Sequence, residues 1–150
     1  MYAFRVGTSS IARFIPEVAD AIIAEYGAEV IPMPTTKDEW RAVEDLFESR
    51  WNLAHCVGAL DGKHIRIQCP PKSGSIYYNY KKFFSVVLFA LCDADYKFLW
   101  TEIGCNGIAS DGQIFNACEL KELISDGTIE FPDASPLPGD NRNIPFFIAG

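Results

Sequence analysis

His55-Cys56-Val57-Gly58-Ala59-Leu60-Asp61-Gly62-Lys63-His64-Ile65 is the stretch on which the reading of this chain turns. Cys56 to Leu60 is short and apolar, the pattern of a buried strand. His64 to Gln68 alternates, with Ile65 and Ile67 on one side and His64, Arg66 and Gln68 on the other. Between the two runs stands Asp61-Gly62. An Asp-Gly pair flanked by strand-like runs is a strong hairpin signal, so Asp61 reads as a turn residue. The competing reading is a carboxylate held at the end of a buried strand, able to ligate a hard cation.

Upstream the pattern is helical. Ser9 to Tyr26 places Ile11, Phe14, Ile15, Val18, Ile22 and Ile23 on one stripe, with Gly27 as a stop. Pro16 lies inside that stripe and is expected to kink the helix or delay its start. Thr36 and Glu39 have the spacing of a capping box, and Trp40, Val43 and Phe47 follow as an apolar face. Downstream, Phe83 to Cys92 is a long apolar strand covered on both faces. Asp93-Ala94-Asp95 turns the chain, and Lys97 to Gly104 returns as its partner. Ser110 and Gln113 form a second capping box at the head of one helix carrying Ile114, Phe115, Cys118 and Leu123. Phe131 to Pro145 holds four prolines and reads as a surface loop, and Phe146 to Ala149 begins another strand. Strands with a crossover helix feeding a later strand make an α/β sheet.

Length, composition and charge narrow the classes. A chain of 150 residues supports one domain with a core. Hydrophobic residues at 49% and charged residues at 22% are globular proportions, and no apolar run approaches a bilayer span. With no secretory pattern at the N-terminus, a soluble intracellular protein is expected. Five cysteines without a CxxC pair argue against a disulfide framework or a zinc ribbon, and His55, Cys56, His64 and Cys69 fit no zinc spacing. A net charge of −7 argues against strong DNA grip by the chain as a whole, although carboxylate-rich metal sites are themselves acidic.

Asp111 follows Ser110 and is read first as a carboxylate favoured beside a helix N-terminus. Tyr77-Tyr78-Asn79-Tyr80-Lys81-Lys82 mixes aromatics with lysines. It reads equally as a nucleic-acid contact or as a loop whose tyrosines pack on the sheet edge. Neither a phosphate-binding glycine loop nor a Ser/His/Asp triad is present.

The stretch around Asp61 resembles the first catalytic block of the PIF/Harbinger transposases and the nucleases derived from them. The likeness continues through Ser73-Gly74-Ser75, Tyr77 to Lys81, Val87 to Phe98, and Gly104 to Phe115 with Ser110-Asp111-Gly112. It implies a ribonuclease H-like mixed α/β sheet of the DDE type with N-terminal helices, truncated on its C-terminal side. Residues 1–50 would be the helical segment and residues 51–150 a partial nuclease domain. It implies Asp61 and Asp111, 50 residues apart in sequence, as catalytic carboxylates and ligands of Mg²⁺ or Mn²⁺. Their carboxyl groups are expected to approach within roughly 4–8 Å, since hard-cation bonds are near 2–2.6 Å. The implied activity is hydrolysis and strand transfer at DNA phosphodiesters. Two cations in such a site activate water and stabilise the leaving oxygen.

A Myb-like partner protein and nuclear residence, with a cytoplasmic pool, follow from the same likeness. It further implies an acidic residue, most simply Asp, directly after Gly150, and a Glu or Asp on a later helix. Without these the 150-residue chain is expected to be inactive. A non-cutting domesticated relative and a decayed transposon fragment are the alternatives.

Overall fold

Residues 5–150 are described in a computed structural model, and they divide into two compact units after Pro32. The first unit is one helix, α1 (Thr8–Val30). Its start is not delayed by Pro16, which lies within it and forfeits only the bond to the Ala12 carbonyl. No residue of α1 is buried, and the stripe of Ile15, Val18, Ile22 and Ile23 is exposed.

The second unit begins with α2 (Lys37–Trp51), and its cap forms as the spacing predicts. The Thr36 hydroxyl accepts from the Glu39 amide, and the Glu39 carboxylate accepts from the Thr35 and Thr36 amides. Those amides hold the Glu39 carboxyl below its ordinary range. The apolar face of α2 is buried as expected through Trp40, Val43 and Phe47. Its far end is tied down by the Trp51 indole N–H donating to the Ala94 carbonyl at 3.1 Å and by an Arg50–Asp95 ion pair.

Then come β1 (Cys56–Arg66), β2 (Ser85–Cys92), β3 (Phe98–Asn106), α3 (Asp111–Ala117), α4 (Glu119–Ser125), β4 (Ser135–Pro136), β5 (Asn143–Ile144) and β6 (Phe147–Ala149). The main sheet has the order β3-β2-β1-β6. β1 and β2 are antiparallel, as are β2 and β3, while β6 lies parallel to β1. This is a mixed α/β sheet consistent with the ribonuclease H-like arrangement. The proline-rich loop carries the small β4–β5 pair.

Two local expectations fail for physical reasons. Asp61-Gly62 is not a turn. β1 passes straight through it, because Ala59 to Arg66 pair without interruption with Cys92 to Ser85 of β2. Pairing along a whole strand outweighs a two-residue turn preference. The single helix expected after Ser110 is two helices, since Cys118 adopts an extended conformation (φ −88°, ψ 156°) that closes α3 and opens α4.

Residues of a strand alternate between faces, so β1 and β2 sort cleanly. Val87, Phe89 and Leu91 belong to the core together with Ile114 of α3, Leu120 of α4 and Cys118 between those helices. The crossover from β3 to β6 therefore covers one face of the sheet. Replacing fully buried Leu120 by Ala removes that cover's central side chain. It is expected to lower unfolding stability by about 2–5 kcal/mol in a urea titration. A cost no larger than that of an exposed site would contradict this packing.

Candidate active site

Asp61 sits in the middle of β1, opposite Ala90 of β2, and is exposed. Its side chain projects from the face shared by Ala59 and Lys63, over a shallow depression lined also by Leu88, Ala90, Cys92, Tyr96 and Phe98. Cys92 is the one thiol among these neighbours. Burial, and the nearby Asp93 carboxylate, push the Cys92 thiol above its ordinary pKa. The Asp61 carboxylate offers oxygen atoms, the donor type that suits Mg²⁺ or Mn²⁺.

β6 brings a second strand end to Asp61. The Phe147 amide donates to the His55 carbonyl at 2.9 Å, and Ala149 stands in register with Ala59. Gly150 packs so closely on β1 that a Cβ there would lie 2.8 Å from the Leu60 carbonyl oxygen. The C-terminal end of β6 therefore opens beside Asp61.

Asp111 is the first residue of α3, behind a capping box in which the Ser110 hydroxyl accepts from the Gln113 amide and the Gln113 side chain accepts from the Ser110 amide. That cap sets the carboxylate against Gly62, the neighbour of Asp61. A Cβ on Gly62 would collide with the Asp111 carboxylate, its Cγ being only 2.9 Å away. The glycine of the Asp-Gly pair thus serves a close approach between strand and helix and makes no turn.

The two aspartates expected in the site meet the same short piece of β1 from opposite sides. Gly62 faces Asp111, and its neighbour Asp61 must face away, because successive residues of a strand alternate. The strand backbone stands between the two carboxylates, so the expectation that they grip one cation together does not fit this geometry. Among the described residues no group of three or more His, Cys, Asp or Glu side chains is placed to hold a metal ion. Sequence reasoning missed the role of Gly62, whose only signal was its place beside Asp61.

Gly62→Ala drives a methyl group into the Asp111 carboxylate and is expected to cost about 1–3 kcal/mol of stability. Truncating Asp111 to Ala in the same chain should recover most of that loss in a double-mutant cycle. Strictly additive effects would show that the two residues do not meet.

A family model described as DDE superfamily endonuclease matches residues 60–142. No match was found among curated proteins or among solved structures. The matched stretch is more than half of the chain and holds both Asp61 and Asp111, most of β1, all of β2 and β3, and the crossover helices. The chain belongs to the DDE superfamily endonuclease family.

Proposed function

We propose that this protein acts in divalent-metal-dependent cleavage of DNA phosphodiesters, as a PIF/Harbinger-type transposase or a nuclease derived from one. The observation that carries the reading is Asp61. It is an exposed carboxylate fixed in the centre of a paired strand, next to the C-terminal end of a parallel strand. Ligands of open α/β sheets gather at the carboxyl ends of their strands. Rigid placement is what an acidic cation ligand needs, because catalysis loses heavily when a ligand wanders.

Asp61 is the proposed ligand of Mg²⁺ or Mn²⁺. Divalent cations supply phosphodiester chemistry with a nucleophilic water near neutral pH and a stabilised leaving oxygen. Asp111 enters as a positioning residue: from the other face, it steadies the segment of β1 that presents Asp61. Ala149 of β6 stands in register with Ala59, two residues before Asp61. In this reading the acidic residue that the resemblance implies after Gly150 supplies the second oxygen donor. Nuclear residence and a Myb-like DNA-binding partner belong to the proposal through the resemblance to PIF/Harbinger proteins alone.

The test is cleavage of supercoiled plasmid DNA with Mn²⁺ and then Mg²⁺, using the gene product with whatever its reading frame encodes beyond Gly150. Metal-dependent nicking is expected, and Asp61→Asn should reduce it at least a hundredfold while leaving the unfolding transition in place. The 150-residue chain alone should not cut. Cutting that survives Asp61→Asn would refute the assignment. A folded product that never cuts would be a non-cleaving relative.

A further inference from the structure

The formal charge of this chain is distributed unevenly. From Gly62 to Cys92 there is no Asp or Glu, while Lys63, Arg66, Lys72, Lys81 and Lys82 all lie in that stretch. A protein of net charge −7 thus carries one wholly basic segment. Three of its cations converge on one sheet edge. The Arg66 guanidinium lies over the Phe83 ring, 4.2 Å from its centroid. His64 meets the same ring edge-on at 6.3 Å and the Tyr80 ring at 5.5 Å. The Lys81 ammonium lies 5.3 Å from the Tyr80 centroid, and Lys82 follows in a left-handed conformation (φ 64°). Among the described residues, Arg66, Lys81 and Lys82 form no ion pair with a carboxylate.

This strip is built rigidly. Asn79 is buried to 3% exposure and holds the turn from beneath. Its amide donates to the Phe83 carbonyl at 2.9 Å, its carbonyl accepts from Lys82 at 3.0 Å, and its side-chain oxygen accepts from the Phe83 amide at 3.2 Å. Its side-chain nitrogen donates to the fully buried Ser85 hydroxyl at 2.9 Å, which also bonds His64 Nδ1 at 3.0 Å. Against this fixed base Tyr80 is 78% exposed. A tyrosine whose tether is so restrained, and whose ring is left open among unpaired cations, has the chemistry of a nucleic-acid stacking platform. A tyrosine packing on the sheet edge would be covered.

We infer that Tyr80, Lys81, Lys82 and Arg66 form a docking edge for single-stranded nucleic acid, with an unpaired base stacked on Tyr80 and phosphates on the three cations. The inference deepens the nuclease reading and rests on it for the identity of the strand as DNA. It adds that the chain holds DNA in an opened, unpaired form. His64 continues the strip along β1 towards Gly62, on the face where Asp111 lies.

The test is fluorescence anisotropy of the 150-residue chain with a labelled single-stranded oligonucleotide and the matching blunt duplex, at several salt concentrations. The single strand should bind more tightly. Tyr80→Ala should weaken it on the order of tenfold. Arg66→Gln, Lys81→Gln and Lys82→Gln combined should lower the salt slope by about two. The combined control Arg41→Gln, Lys97→Gln and Lys121→Gln removes equal charge elsewhere and should change little. Absence of binding, equal or stronger binding of duplex, indifference to Tyr80→Ala, or equal loss in the control would each overturn the proposal. Metal-dependent cutting that ignores the edge variants would leave the nuclease reading standing without this edge. Binding at the edge by a product that does not cut would do the reverse.

Discussion

Eight consecutive pairings between β1 and β2, from Ala59–Cys92 to Arg66–Ser85, hold the rest of the second unit in place. They keep β1 extended through Asp61-Gly62, and extension forces those two neighbours onto opposite faces. From that follow the open setting of Asp61 and the close setting of Gly62 under Asp111. Had the local turn preference prevailed, β1 would end at Leu60 and neither the Arg66 edge nor the Gly62 contact would exist. Strand pairing is cooperative along its length, and β6 adds a parallel partner on the other side of β1.

The entry to β1 is fixed by His55. It takes a left-handed backbone conformation (φ 63°) and is 3% exposed. Its amide donates to the Glu44 carboxylate of α2 at 3.1 Å, and its carbonyl accepts from Phe147 of β6. The imidazole stacks on Phe146 at 4.4 Å, and its Nε2 meets the Ser135 hydroxyl at 3.2 Å. One residue thus ties together the second helix, the first strand, the last strand and the proline-rich loop. Its Nδ1 has no partner among the described residues, a cost of about 1–3 kcal/mol that the surrounding contacts must offset. The same junction sets the register that brings the end of β6 to Asp61.

Much of this was legible in the sequence where the signals are local. Thr36 with Glu39, and Ser110 with Gln113, announce two helix starts through hydrogen bonds made within four residues. The apolar run ending at Cys92 and the Asp93-Ala94-Asp95 turn announce the β2–β3 hairpin. Non-local pairing accounts for the failures. Nothing near Asp61 reveals that both flanks of β1 are paired, and nothing near Cys118 marks the break between α3 and α4. The face on which α3 lies decides whether Asp111 can join Asp61, and that depends on where the crossover packs. Asp61 and Asp111 are both legible as candidates in the sequence, while the faces they occupy are set by packing that the sequence does not mark. The basic edge was legible only in part: Tyr80, Lys81 and Lys82 stood out as a motif, whereas Arg66 joins them through strand register and the Phe83 ring.

Asp61 as a cation ligand at the end of β6 is the claim on which the functional account stands. Paramagnetic broadening reports it directly, because Mn²⁺ erases amide signals near its site even when binding is weak. Titrating Mn²⁺ into isotopically labelled protein should first bleach Leu60, Asp61, Gly62 and Gly150, and Asp61→Asn should abolish that pattern. Bleaching centred on exposed carboxylates such as Asp126 or Asp133, and unaltered by Asp61→Asn, would contradict the account.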